Sequence, residues 1–365
     1  MSNKPEKWEL AKKRKGDIKA TNHPQMVRAE ADQRKQIAAW NRDPLKQYIR
    51  REGWESVLSV FIQKIRACGI TRPWKYFTLP GPDAIDIGHL YRRGLLDVTP
   101  EGRLSVAICD RDHADKVALR LEKFGGALAS SEKELHDALG DSNNAVVKEF
   151  PFDVINLDFC NSLILPNRNN LQALYQIFSL QRGQGFLLLL TSRPERTQRD
   201  EHLAILADNL QTDPQFEEAY RVRYTTNDPT ACLADYTTFT QIVFSKIIAR
   251  YGREFGYRVY EHFMAKYRKP RGFDMISHSF ELDPIIWRKH EATKYQPRWG
   301  TSQIYLIELI LNGEFLRRRA SEEYERYICR LPGRQVLNVN EFLADKQALY
   351  DELFNESAAL ETWLN

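Results

Sequence analysis

The segment FPFDVINLDFCNS, residues 150–162, constrains the fold of this chain more than any other part of the sequence. An apolar run ends at Leu157 and is followed by Asp158, Cys160 and Asn161. This pattern is typical of a buried parallel strand that brings a carboxylate and an amide to its carboxyl end. Because ligands of open α/β sheets bind at that end of the strands, the segment predicts a binding site.

Strand-like and helix-like patterns alternate from about Trp74 to Thr191, which predicts a doubly wound, mostly parallel α/β sheet of about five strands. We expect an antiparallel hairpin to follow, because the strand-like runs 258–268 and 273–282 flank the turn sequence KPRG. The expected strands of the parallel part are 76–79, 104–109, 152–157 and 186–191, with a weaker candidate at 146–150, and the expected helices are 84–93, 113–124 and 169–181.

The flanks of this α/β region are predicted to be helical. Gly53 is a point at which the amino-terminal helical pattern divides. The expected divisions of the chain are a basic tail or helical segment at 1–45, a helical lead-in at 46–72, an α/β domain at 73–290 with a helical insertion at about 200–251, and a helical extension at 291–365.

Charge and cysteine usage narrow the class of protein. The net charge is +4, and residues 1–50 hold 13 Lys and Arg against 6 Asp and Glu. The 5 cysteines form no CxxC pair, which argues against a zinc site and a disulfide scaffold, and the histidines show no metal-binding grouping. No apolar run approaches the roughly 20 residues that span a bilayer. We therefore expect a cytoplasmic protein without membrane contact or a bound metal.

The expected sheet with its late hairpin resembles that of class I S-adenosylmethionine-dependent methyltransferases, over roughly residues 74–282. In that family a Gly-rich loop after the first strand lies against the methionine part of the cofactor. Here the loop reads LPGPDAID, residues 79–86, without GxGxG, and it is more similar to the FAGPG loop of three-Cys-motif partner methyltransferases. The resemblance implies S-adenosylmethionine as the cofactor, with Pro80 and Gly81 beside its methionine part and Asp86 at its amino group.

The second strand of the family usually ends in an acidic residue that accepts hydrogen bonds from the ribose hydroxyls. The sequence CDRD supplies Asp110, which the resemblance implies as the ribose partner, and Asp112 two residues later. Asp112 has an alternative interpretation as the cap of the helix that follows, because Asp is a preferred capping residue.

The end of the fourth strand is the position at which amino-methylating members carry Asn or Asp, then Pro-Pro and an aromatic residue. The resemblance implies that Asp158 and Asn161 face the methyl acceptor, although Pro-Pro is missing here. Two alternatives stay open: Asp158 as a carboxylate tied to backbone amides, and Asn161 as a loop-turning residue. Cys160 is expected to be a core cysteine rather than a nucleophile, because no proline precedes it.

Two basic segments are candidates for contact with nucleic acid. Arg193 and Arg196 follow the fifth strand, and Lys269 and Arg271 lie in the expected hairpin turn. The alternatives are a solvated loop for the first segment and a turn that is basic for solubility for the second.

The resemblance, together with the basic segments, implies a methyltransferase-like protein that binds S-adenosylmethionine and acts on, or is recruited to, nucleic acid. The alternative is a catalytically inactive module that binds a partner protein or nucleic acid, because both GxGxG and Pro-Pro are missing. Multi-protein systems such as bacterial defence against phage are a setting for the latter. A nucleotide-dependent oxidoreductase is disfavoured, since it needs a phosphate-cradling Gly-rich turn.

Overall fold

An eight-stranded sheet forms the centre of the computed structural model, which describes residues 43–159, 161–163, 169–194, 236–268, 274–284, 337–361 and 363. The strands follow the order β3-β2-β1-β4-β5-β7-β6-β8 across the sheet. They are β1 (Tyr76–Thr78), β2 (Val106–Cys109), β3 (Ala129–Ser131), β4 (Val154–Asp158), β5 (Phe186–Ser192), β6 (Tyr257–Arg268), β7 (Asp274–Pro284) and β8 (Leu337–Asn338).

Strand β1 lies in the middle of the parallel part and pairs with both β2 and β4. Tyr76 is opposite Val106 on one side and Val154 on the other. Strands β2 and β3 therefore lie on one side of β1, and β4 and β5 lie on the other. Strand β5 pairs antiparallel with β7. This topology confirms the predicted fold class, a doubly wound, mostly parallel, methyltransferase-like sheet closed by an antiparallel hairpin.

Helices cover both faces of the sheet, which explains why its central strands are continuously apolar. In β5, Leu188 and Leu190 pack into one hydrophobic cluster, and Leu187 and Leu189 pack into the cluster on the opposite face. The helices are α1 (Pro44–Tyr48), α2 (Ser56–Ala67), α3 (Ile85–Arg92), α4 (Ala114–Leu121), α5 (Leu135–Gly140), α6 (Ala145–Lys148), α7 (Asn170–Leu180), α8 (Tyr236–Glu254), α9 (Val339–Leu343) and α10 (Gln347–Glu361). None of these described helices is both long and apolar enough to cross a membrane.

The third strand is not where the sequence predicted it. Residues 146–150 were expected to contain a strand, but α6 occupies most of this segment, and Asn144 caps it by accepting a hydrogen bond from the Val146 N–H at 3.0 Å. The third strand is β3, whose sequence Ala-Ser-Ser has no apolar pattern and which joins β2 through its backbone. Helix α5 was also missed, while the other expected strands and helices of residues 74–191 are confirmed to within a few residues.

The amino-terminal lead-in is helical without a break from Pro44 to Ala67. A π-helical segment, Ile49–Glu55, connects α1 and α2, so Gly53 widens the helix instead of ending it. A Cβ at Gly53 would lie 2.5 Å from a ring carbon of Phe263, so the glycine gives β6 room to approach. The basic tail before residue 43 lies outside the described residues.

The carboxyl-terminal helix α10 packs against α1 and α3 and holds both to the sheet. Just beyond it, the Trp363 indole donates a hydrogen bond to the Asp83 carbonyl at 3.3 Å. The described part of the expected carboxyl-terminal extension is helical, apart from β8. Of the expected insertion at 200–251, residues 236–251 belong to α8, and the remainder lies outside the described residues.

We expect Gly88→Ala to lower the free energy of unfolding by about 1–3 kcal/mol, because the core around α3 has no room for a methyl group. A Cβ at Gly88 would lie 2.3 Å from Nε1 of Trp363. Trp363→Ala removes this clash, so the same glycine substitution should cost little in that background. Urea unfolding of the single and double variants measures the difference.

Gly140→Ala is the matched control, because its Cβ would approach its nearest neighbour, Gln176, only to 3.4 Å. It should leave the stability nearly unchanged. An equal cost of Gly88→Ala with and without Trp363 would contradict the packing described here.

Candidate functional site

A cavity of about 400 Å³ lies at the carboxyl ends of the parallel strands. Its walls come from the loops that follow β1, β2, β3 and β4 and from the amino-terminal helix. The volume falls in the range of about 300–1,000 Å³ that is usual for small-molecule sites. The cavity also occupies the topological switch point between β1 and β4, where open α/β sheets bind ligands.

The structure brings the predicted cofactor and acceptor residues to this one cavity. Six of them, which come from three different strand ends, line it together: Pro80, Gly81, Asp86, Asp110, Asp158 and Asn161. Their roles stay predictions, but their assembly in one place follows from the parallel pairing of the strands.

The loop after β1 turns sharply at Gly81, whose φ is +60°. Residues with a side chain rarely adopt this conformation, so the loop needs glycine here for its backbone. A Cβ at this position would meet no atom within 4 Å. The loop is therefore open beside Gly81, which leaves space for a ligand to approach the backbone closely.

The carboxylate of Asp86 ties β1, β4 and α3 together beneath the cavity. Its Oδ2 accepts hydrogen bonds from Tyr76 Oη at 2.9 Å, Thr78 Oγ1 at 2.5 Å and Asn156 Nδ2 at 3.2 Å. Burial raises the pKa of Tyr76 well above its ordinary value, and the charge of Asp86 adds to the rise. Tyr76 is therefore a neutral donor, and the network holds the Asp86 carboxylate at the cavity wall.

The Asp110 carboxylate, directly after β2, holds the turn that leads into α4. Its Oδ1 accepts hydrogen bonds from the backbone N–H groups of Asp112 and His113, both at 2.9 Å. The alternative interpretation of Asp112 as the helix cap is wrong, because His113 occupies the cap position without a side-chain hydrogen bond and Asp112 instead pairs with Arg111 at 3.1 Å. The two hydrogen bonds fix the orientation of Asp110, which lines the cavity.

The Asp158 carboxylate forms an ion pair with the Lys46 ammonium, which α1 brings over the end of β4. Both side chains are largely buried, at 16% exposure for Lys46 and 17% for Asp158. Because α1 begins at Pro44 with Asp43 as its cap, Lys46 falls on the turn that faces the sheet. The sequence prediction missed Lys46, because a lysine on an amphipathic helix is ordinarily a solvated residue.

The Asn161 loop is tied to the end of β5. The backbone carbonyl of Asn161 accepts hydrogen bonds from the Arg193 N–H at 3.2 Å and from Ser192 Oγ at 2.9 Å. Of the residues predicted to contact nucleic acid, Arg193 thus lies close to the cavity. The other three residues lie outside the described part of the chain: Arg196, Lys269 and Arg271.

Thiol and metal chemistry find no support in this cavity. Burial raises the pKa of the Cys109 thiol to about 12, so it is protonated at neutral pH. Within the described ranges, no three His, Cys, Asp or Glu side chains are placed to hold a metal ion. Cys160 lies outside those ranges.

Comparison with known proteins shows similarity to a family model and to solved structures. A family model described as PP_RS20740-like matches residues 34–95, which is less than half of the chain and includes Lys46 and Gly81. The methyltransferase domain of bacterial CtHen1-C is similar in structure at 12% sequence identity and a TM-score of 0.36, over 66% of this chain and 99% of that one. No curated protein matches the chain. The strand order itself, and not this likeness, supports the fold class.

We expect Lys46→Met and Asp158→Asn to be strongly coupled, because each leaves the partner in a poorly solvated place. Each single variant should be less stable than the parent. The double variant should be more stable than additive losses predict, with a coupling of about 0.5–3 kcal/mol. Urea unfolding of all four proteins measures it.

The Lys133–Asp141 ion pair, with an N–O distance of 2.9 Å, is the control because both of its side chains are well exposed. Water screens such pairs, so the corresponding cycle with Lys133→Met and Asp141→Asn should show a much smaller coupling. Additive losses at Lys46 and Asp158 would show that this ion pair does not stabilise the fold.

Proposed function

We propose that the cavity binds S-adenosylmethionine and that the chain is a methyltransferase-like protein which acts on, or is recruited to, nucleic acid. One observation carries the proposal. At the switch point between β1 and β4, the open Gly81 turn and the carboxylates of Asp110 and Asp158 line one cavity of small-molecule size. A glycine turn and an acidic strand end are what a nucleoside with an amino-acid chain requires.

Each element of the cavity fits one part of this cofactor. The Gly81 turn takes the methionine part, the Asp86 carboxylate takes its amino group, and Asp110 accepts hydrogen bonds from the ribose hydroxyls. Because two backbone N–H groups hold Asp110 through Oδ1, its carboxylate is already oriented before the ligand arrives. When bound, S-adenosylmethionine supplies a methyl group on a positively charged sulfur.

The chain contributes alignment rather than a strong base. Asp158 and Asn161, at the end of β4, orient the acceptor amine toward the cofactor and hold it in a site that excludes water. Lys46 is paired with Asp158, so an acceptor amine shares this carboxylate with the lysine. We infer that Lys46 sets how strongly Asp158 attracts the acceptor.

The same ion pair favours a second candidate function, a catalytically inactive module. If Lys46 keeps Asp158 engaged, the carboxylate cannot orient an amine, and the cavity then serves ligand binding alone. In that case the chain binds a partner protein or nucleic acid within a multi-protein system, of which phage defence is the example that the resemblance alone offers.

Calorimetric titration with S-adenosylmethionine and its demethylated product tests the proposed ligand. We expect binding in the micromolar range, and we expect Asp110→Ala to weaken it by about tenfold or more, because a charge-assisted hydrogen bond is removed. Asp115→Ala, an exposed acidic position on α4 that does not line the cavity, should leave the affinity unchanged.

Failure of the intact protein to bind either compound would contradict the proposal. Thermal unfolding of Asp110→Ala must accompany the titration, since the substitution also removes two hydrogen bonds that hold the turn before α4. Binding without methyl transfer to DNA, RNA or protein favours the inactive module.

Recruitment to nucleic acid has a separate test. We expect the logarithm of the affinity for DNA to fall linearly with the logarithm of the salt concentration, since bound phosphates release counterions. The triple variant Arg196→Ala, Lys269→Ala, Arg271→Ala should reduce that slope, by about 0.9 for each phosphate that the protein no longer neutralises. Lys116→Ala, on the exposed side of α4, is the control and should leave the slope unchanged. Absence of binding even at low salt rules out this part of the proposal.

A further inference from the structure

Arg50 is a buried cation in the wall of the cavity. Its side chain follows Lys46 by one helical turn, and the residue is only 4% exposed. Its Nη1 donates a hydrogen bond to Gln47 Oε1 at 3.2 Å, whereas its buried Nε has no acceptor among the described residues. The guanidinium is therefore largely removed from water, and the partner that these residues give it is neutral.

The other basic residues of the cavity differ from Arg50 in this respect. Lys46 pairs with Asp158, Arg111 pairs with Glu134, and Lys133 pairs with an aspartate outside the cavity. In the described part of the chain, Arg50 forms no ion pair with a carboxylate. It is also far less exposed than Arg111, whose side chain is 52% exposed and solvated.

A buried guanidinium without a counter-charge is costly. Arginine stays protonated at all ordinary pH values, so it cannot lower this cost by losing its proton. Removing its charge from water costs several kcal/mol unless an anion compensates. A ligand that carries an anionic group would compensate such a charge at a cavity wall.

The surroundings of Arg50 hold it in a fixed orientation. Gln47 is fully buried and bridges Arg50 to the Nδ1 atom of His89 on α3, at 3.2 Å from Gln47 Nε2. Arg50 belongs to the π-helical segment Ile49–Glu55, and π-helical turns occur frequently at functional sites. The guanidinium thus approaches the cavity from a rigid element and not from a mobile loop.

We propose that Arg50 is the anion receptor of this cavity and that it binds the carboxylate at the amino-acid end of the ligand. The planar guanidinium matches a carboxylate through two parallel hydrogen bonds, for which its two Nη groups serve as donors, because Nη1 has a second N–H besides the one that it donates to Gln47. The identity of the ligand rests on the proposed function, whereas the requirement for an anion rests on Arg50 alone. Gln47 is a positioning residue, because it acts through Arg50.

The test compares two ligands that differ only in the carboxylate: S-adenosylhomocysteine and its decarboxylated analogue. The parent protein should bind the first about 10- to 100-fold more tightly. Arg50→Met should bind both with similar affinity, close to that of the parent for the decarboxylated analogue. Arg50→Lys keeps the charge without the planar fork and should retain part of the preference. Arg51→Met, whose arginine pairs with Glu352 outside the cavity, is the matched control and should behave like the parent.

A second measurement does not depend on S-adenosylmethionine. Acetate and inorganic phosphate, titrated at constant ionic strength, should raise the Tm of the parent and of Arg51→Met but not that of Arg50→Met. The ligand-free Arg50→Met protein should be at least as stable as the parent, because an uncompensated charge has been removed.

These two measurements distinguish a failure of the proposed cofactor from a failure of the proposed role of Arg50. If anions stabilise the protein only when Arg50 is present and the adenosyl compounds do not bind, Arg50 is an anion receptor and the proposed cofactor is wrong. Equal responses of the parent and Arg50→Met to the anions and to both adenosyl ligands would overturn the role of Arg50. A marked loss of ligand-free stability in Arg50→Met would identify it as a structural residue and overturn the proposal as well.

Discussion

The parallel pairing of β1 with β2 on one side and β4 on the other determines where every polar group of the cavity lies. Parallel strands direct all their carboxyl ends to the same edge, and the reversal of strand order at β1 opens a gap between the loops that leave it. Gly81, Asp110 and Asp158 occupy that gap because each directly follows or ends one of the three strands. The hydrogen bonds of Asp86 join β1 to β4 beneath this gap, so the residue that links the strands also forms part of the cavity wall.

The helical flanks complete this site. Helix α1 supplies Lys46 above the end of β4, and the π-helical segment after it supplies Arg50. Helix α10, which lies far along the chain from both, packs on α1 and on α3 and thereby keeps these cations over the sheet. A chain that carried only the α/β region would keep the carboxylates of the cavity and lose both Lys46 and Arg50.

The sequence predicted the parts of the structure that have a local pattern. Strands β4 and β5 are apolar because both of their faces are buried, and a strand-end carboxylate can be recognised because an apolar run stops at it. Strand β3 has no such signal, because its three small residues join the sheet through their backbone. The two valines of α6 favour a strand by their residue type, but Asn144 caps the segment and it is helical. Lys46 and Arg50 have no local signal either, since cations one helical turn apart are ordinary on a solvated helix. Only burial against the sheet, at 4% exposure for Arg50, distinguishes it.

The arrangement of charge around the cavity also selects among ligands. Arg50 offers positive charge without a carboxylate partner in the described residues, while Asp86 and Asp110 offer negative charge along the loops of β1 and β2. In the proposed complex, a zwitterionic amino-acid end joined to a ribose satisfies both sides: we assign its carboxylate to Arg50, its amino group to Asp86 and its hydroxyls to Asp110. A pyrophosphate would bring its charge close to Asp86 and Asp110, and the loop after β1 lacks the Gly-rich turn that cradles phosphates. Charge complementarity is thus a reason, independent of the strand order, to propose S-adenosylmethionine and not a dinucleotide as the ligand of this cavity.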